Sequence, residues 1–185
     1  MFIQTEETPN PQTLKFLPGQ PVTGQGSVDF GDAAQAGRSP LAQRLFNVDG
    51  VRRVFLGQDF ISVSRDDNLE WHALKPLVLS AIIEHYTSGQ PVLTAPAEDS
   101  TGPDDGDGES DVVRQIRELL DTRVRPVVAQ DGGDIVFDRF EEGVVYLHMQ
   151  GACQGCPSSS ATLKAGVENM LRHYVPEVTE VRQVL

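Results

Sequence analysis

The chain has 185 residues and a formal net charge of −12, long enough for one large domain or two small ones and of the wrong sign for a surface that holds nucleic acid or anionic lipid. No apolar run approaches the length that spans a bilayer, so no membrane partner is expected. Only two cysteines occur, which excludes an internal disulfide framework, and the opening MFIQTEETPNPQTLKF carries neither a secretory signal nor an Arg-rich transit pattern. These features predict a reducing, bacterial cytoplasm, with the mitochondrial matrix of a processed chain as the alternative.

In chain order, Thr13–Leu17 and Ser27–Phe30 read as strands separated by a Pro/Gly-rich turn. Ser39-Pro40 predicts a helix start, serine capping and proline in the first turn, with Leu41, Leu45 and Phe46 on one face. VRRVFL, the turn GQD and FISVS predict a hairpin. Trp71, Leu74, Val78, Ile82 and Tyr86 then recur at helical spacing up to Gly89, with Trp71 as a core anchor and Pro76 leaving the helix start open. The predicted order ββαββα suits a sheet with helices on one side.

Residues 94–110, TAPAEDSTGPDDGDGES, hold six acids, no basic residue and no aliphatic larger than alanine. Such a segment buries too little apolar surface to offset its ordering entropy, and a self-repelling tether that lets its neighbours move independently is expected. The blocks 1–93 and 111–185 each sum to −3, and the tether carries the remaining −6.

Ser110 can cap a helix with Val113, Ile116, Leu120, Val124 and Val127 on its apolar face, kinked near Pro126 and ended by DGGD. Asp131–Asp134 is expected to serve first as the helix-to-strand turn, since glycine supplies positive φ there, with packing against the cysteine loop as the alternative. DIVFDRF, the turn EEG and VVYLHMQ predict two strands, with Val145, Leu147 and Met149 on one face. A helix carrying Leu163, Val167, Met170, Leu171 and Tyr174 stops at Pro176, and Val178–Leu185 is a last strand. The class is therefore α+β: two small two-layer α/β domains, ββαββα over 1–93 and αββαβ over 111–185, joined by the acidic flexible linker.

Chemistry concentrates in GACQGCPSSS, where Cys153 and Cys156 are three apart. Pro157 favours a helix start that puts Cys156 at or next to the N-cap and Cys153 in the preceding loop, with unpaired N–H groups facing both sulfurs. Neither cysteine lies on the main apolar stripes, so serine is expected to be tolerated by the fold. Two thiols cannot complete a four-thiolate site alone. A thiol–disulfide oxidoreductase, a zinc-bridged dimerisation module and an iron–sulfur cluster shared by two chains all use such a pair. The proline after the pair, rather than between the cysteines, departs from the thioredoxin-like pattern. His85 and His173, at the ends of apolar helices, are expected to cap or to be partly buried, and Lys164 to be solvated.

GACQGCPSSSATLKAGVENML, preceded by VRPVVAQDGGD, resembles the NifU-like C-terminal domain of the Nfu iron–sulfur proteins. QTEETPNPQTLKFLPG together with SPLAQRLFNVDGVRRVFLGQDFISVSR resembles their N-terminal domain, so the likeness covers nearly all but the tether. The resemblance implies a non-enzymatic scaffold or carrier. It would hold a [4Fe–4S] cluster, or alternatively a [2Fe–2S] one, between two protomers and pass it to apo iron–sulfur proteins. It implies Cys153 and Cys156 as ligands, a homodimer when loaded, upstream cluster-assembly proteins as donors, and an N-terminal domain that recognises targets or partners.

Overall fold

Strict alternation along the strands decides which face of the first sheet is buried. In a computed structural model, which describes residues 1–24, 26–94, 110–154 and 159–184, strands β1 (Gln4–Glu7), β2 (Thr13–Leu17), β3 (Val28–Phe30), β4 (Val51–Leu56) and β5 (Ile61–Arg65) pair antiparallel in the order β1-β2-β5-β4-β3. Leu14, Phe16, Val54, Leu56, Ile61 and Val63 share one core with Leu41 and Leu45 of α1 (Pro40–Phe46) and Leu74, Val78 and Ile82 of α2 (Trp71–Ser88). Ser39 caps α1 as expected, its Oγ accepting from the Ala42 N–H at 3.0 Å. Pro76 lies inside α2, and Gly89, at φ +68°, ends that helix. Trp71 is half-buried, edge-on to Phe16, and donates Nε1–H to the Pro11 carbonyl.

The expected order ββαββα is short by one strand. β1 precedes it as a sheet edge, paired only with β2, and a 3-10 turn over Ala33–Arg38 leads into α1. β1 reads QTEE, without apolar alternation, because an edge strand with both faces partly in water needs none.

The C-terminal domain follows the expected order. α3 (Asp111–Leu119), capped by Ser110, passes through a π-helical segment (Leu120–Val124) into α4 (Arg125–Gln130). The kink expected at Pro126 takes this form: the Arg125 N–H reaches back to the Leu120 carbonyl just before the proline. β6 (Gly133–Glu141) and β7 (Val144–Gly151) form a hairpin turned by Glu142 and Gly143, at φ +50° and +82°. α5 (Ser159–Tyr174) crosses over to β8 (Glu180–Val184), which lies parallel to β7. Val145, Leu147 and Met149 are buried with Ile116, Leu120, Val167 and Leu171 in a second core.

The two domains are docked rather than independent. Side chains on the helix-free face of the first sheet, Lys15, Phe55 and Ser62, are buried, as are Asn10 and Ser27. Ser62 Oγ donates to the Gly132 carbonyl at 2.6 Å, Lys15 Nζ to the Gln130 carbonyl at 3.2 Å, and Asn10 Nδ2 to the Gln154 carbonyl at 3.2 Å. Ser27 Oγ donates to Asp134 Oδ2 at 2.6 Å. Of the expected tether, residues 94–110, positions 95–109 lie outside the described residues. Its described flanks are held: Thr94 N–H donates to the Arg38 carbonyl at 2.9 Å, and Ser110 caps α3.

Candidate functional site

β7 delivers the cysteine loop to the start of β6. Gly151, the last residue of β7, pairs with Gly133 and has φ +61°. The Ala152 N–H then donates to the Gly132 carbonyl at 3.1 Å, which turns the chain across the DGGD segment. Gly132, at φ +79°, is the expected turn glycine. Gly133 does something different. A Cβ there would collide with Cys153 Sγ and come within 2.9 Å of both the Cys153 backbone nitrogen and the Gln150 carbonyl oxygen. The turn reading of DGGD thus describes Gly132, and the alternative, packing against the cysteine loop, describes Gly133, the floor on which Cys153 sits.

Asp134 anchors that floor. Its carboxylate takes paired hydrogen bonds from Arg125, Nε to Oδ1 and Nη2 to Oδ2, both at 2.9 Å. Oδ1 also accepts from the Ile135 N–H at 2.8 Å. The Asp134 hydrogen bonds, ahead of its charge and of Asp121, hold Arg125 still further above its already high ordinary range. A buried carboxylate so paired costs about 3–5 kcal/mol to strip of its partner, so the link from α4 to β6 is a strong local constraint.

Cys153 is only 5% exposed and belongs to the C-terminal core with Val128, Ile135 and Met149. The expectation that neither cysteine lies in apolar packing is thereby corrected for Cys153, since serine there would place a hydroxyl in that core. Cys156, with Gly155, Pro157 and Ser158, lies outside the described residues, and so does the expected N-cap at Cys156; the described part of α5 starts at Ser159.

Three of the four histidines have surroundings of their own among the described residues. His148 Nε2 meets Asp138 Oδ1 at 3.0 Å, His173 stacks edge-on to Tyr174, and His85 is fully buried in α2. Among the described residues no group of three or more His, Cys, Asp or Glu gathers to hold a metal ion. Arg125 and its pairing with Asp134 are the supporting features that pattern reading missed. The only sequence signal for them was the adjacency of DGGD to a helix bearing an arginine on its inner side.

Fold and site together define a two-domain α+β protein whose smaller domain seats Cys153, the first cysteine of a CxxC pair, at the end of a strand on a paired-glycine turn. A family model described as "Scaffold protein Nfu/NifU N terminal" matches residues 3–89, and one described as "NifU-like domain" matches residues 116–182. The chain is 48% identical, over its whole length, to the human protein "NFU1 iron-sulfur cluster scaffold homolog, mitochondrial", of which it covers 72%. It is 53% identical over its whole length to the protein of that name from Drosophila persimilis, of which it covers 65%. Over 99% of its length it is 51% identical to "NifU-like protein 4, mitochondrial" of Arabidopsis thaliana, of which it covers 66%. The chain belongs to the Nfu/NifU scaffold family.

These relatives also correct the expected compartment. All three are labelled mitochondrial, which overturns the bacterial cytoplasmic reading in favour of the mitochondrial alternative. The chain spans 65–72% of the length of these three relatives.

Proposed function

We propose that this protein is an iron–sulfur cluster scaffold and carrier that holds a [4Fe–4S] cluster between two copies and passes it to apo iron–sulfur proteins. The observation that carries the reading is Cys153, first of the CxxC pair, on its glycine floor in a segment matched by the NifU-like model. The cluster is cargo here. Gly133 leaves room for Cys153 Sγ where any Cβ would displace it, which suits a position reserved for a ligand sulfur. With Cys153 and Cys156 as the only thiols in the chain, a four-thiolate core draws two from each of two copies. Relatives named as scaffolds, rather than as enzymes, support the non-catalytic role. In this reading residues 111–185 bind the cluster, residues 1–93 recognise donors and recipients, and residues 94–110 join them.

Anaerobic reconstitution followed by sedimentation tests it, with iron and sulfide quantified in each peak. The expected product is a brown dimer with about two irons per chain, and Cys153→Ser or Cys156→Ser alone should abolish it. A brown monomer with a full cluster would defeat the shared site. A colourless zinc dimer, or a monomer with disulfide reductase activity, would replace the cluster reading altogether.

A further inference from the structure

The helix-free face of the first sheet carries polar side chains that ordinarily face water. Here they are spent on the cysteine loop and its floor. Ser62 holds the carbonyl of Gly132, beside the floor, and Lys15 that of Gln130, the last residue of α4. Asn10 holds the carbonyl of Gln154, the residue after Cys153. Phe55 lies against Gly151, two residues before it, where a Cβ would be 3.1 Å from the ring. Ser27 closes on Asp134, which Arg125 already holds. Beside these contacts a cleft of about 280 Å³ remains between the domains, lined by Phe55, Gln58 and Phe60 on one side and by Arg125, Pro126 and Asp134 on the other.

Lys15 shows how specific the fit is. It is 7% exposed, and its ammonium sits 3.3 Å from Glu6 and 5.0 Å from the centre of the Phe60 ring as well as on the Gln130 carbonyl. A lysine on a merely solvated sheet face would have no reason to bury its charge. The carbonyl it satisfies closes α4 just before the turn, and those that Ser62 and Asn10 satisfy belong to the turn and loop that present Cys153.

We propose that this sheet face is a docking surface for the chain's own cysteine-bearing segment, and that docking in cis holds the backbone on both sides of Cys153, so that the sulfur, packed in the C-terminal core, turns out toward a second copy or a recipient only after the domains part. The inference rests on the reading of Cys153 as a cluster ligand for its biological meaning, but the docking itself is independent of that reading. Contacts on both sides of Cys153 lock the loop backbone, and a buried sulfur is then uncovered only through a local opening. The first domain thereby acts on the second as a cap as well as a neighbour.

The test uses the full-length apo-protein with Ser27→Asp and Ser62→Arg combined. The first sets a carboxylate against Asp134, and the second sets a bulky cation where the Gly132 carbonyl now approaches. Neither residue belongs to the helix-side core. A second variant, Asn10→Ala with Lys15→Met, removes donors without adding bulk and serves if the first fails to fold. Iodoacetamide alkylation of Cys153 is timed by fragmentation mass spectrometry, which separates it from Cys156, and the radius of gyration is followed by small-angle scattering.

The parent should be compact with slow Cys153 alkylation, and the folded variants should expand and react at least tenfold faster. Unchanged alkylation in an expanded variant overturns the proposal. So does a parent whose domains already scatter as separate bodies, or a pair of folded variants that stay as compact as the parent. Failure of cluster reconstitution in the parent would sink the cluster reading while leaving these rates, and the docking, intact.

Discussion

Gly133 and Gly166 differ in what a methyl group would meet. At Gly133 it would strike Cys153 Sγ and two backbone atoms that cannot swing aside, whereas at Gly166 in α5 nothing lies within 4 Å. Gly133→Ala should therefore cost about 1–3 kcal/mol of overpacking and displace the cysteine, while Gly166→Ala should gain about 0.5–1 kcal/mol from helix propensity. Urea unfolding monitored by circular dichroism decides both signs, and an unaltered Gly133→Ala midpoint would remove the floor from the argument. His85 gives the second residue-level prediction. Neither ring nitrogen has a hydrogen-bond partner among the described residues, and burial first, then the charge of Arg44, push its pKa below 6.5. The unfolded chain takes up a proton as pH falls through about 6.5, and the folded chain resists doing so. Stability from the neutral ring is thus fully present above that pH and lost below it, down to the depressed folded value, at up to about 1.4 kcal/mol per pH unit. His85→Phe should flatten the profile between pH 7.5 and 5.5 in chemical denaturation series; a profile that kept the parent's slope would assign it to other groups. Residue chemistry of this kind was half legible in the sequence. The cysteines announced themselves, but a glycine that floors a sulfur looks like any turn glycine until the strand pairing brings position 133 opposite 151.

Elements were read best where their periodicity is enforced by burial on one side. β2, β4 and β5 alternate between the helix-side core and the docked face, and the α2 stripe from Leu74 to Ile82 faces the same core, so their patterns survive in the sequence. β1 left no pattern because it is an edge with no buried side to encode. The domain docking left none either. Ser62, Lys15 and Ser27 are polar residue types that ordinarily face water, and only the backbone carbonyls of another element, invisible to sequence, explain their burial. Capping was legible and can be ranked by its surroundings. Ser39 is fully buried and does two jobs, accepting from the Ala42 N–H and donating to the Val92 carbonyl at 2.7 Å. Ser110 is exposed and makes the 3.3 Å cap alone. Ser39→Ala should cost about 1–3 kcal/mol, since it strands two backbone groups, and Ser110→Ala about 0.5–1 kcal/mol. Trp71, the single tryptophan, lies against Phe16 of the first domain, so its fluorescence reports the Ser39 effect directly. Equal shifts in the two variants would mean that the Val92 bond contributes nothing.

Two whole molecules must meet if the cluster is shared, and charge opposes the meeting. Each chain carries −12, half of it in the six acids between positions 98 and 109. The domains are mildly acidic by comparison, and many of their carboxylates are already spent on arginines, as at Arg53–Asp29, Arg125–Asp134 and Arg182–Glu180. The long-range repulsion between copies therefore belongs largely to the connecting segment and not to the surfaces that must touch. Screening reaches about 8 Å at physiological ionic strength but about 30 Å at 0.01 M, so repulsion should govern assembly only in dilute salt. Replacing the six acids by their amides leaves every described contact untouched and brings the chain to −6, which lowers the product of the two charges about fourfold. Sedimentation of reconstituted protein at the two ionic strengths should show the parent losing dimer in dilute salt and the amide variant losing much less, with iron per dimer unchanged. A parent indifferent to salt would mean that thiolate–iron bonding overwhelms the net charge. A variant as salt-sensitive as the parent would move the repulsion onto the domains themselves, and with it the electrostatic barrier to pairing two cysteine loops.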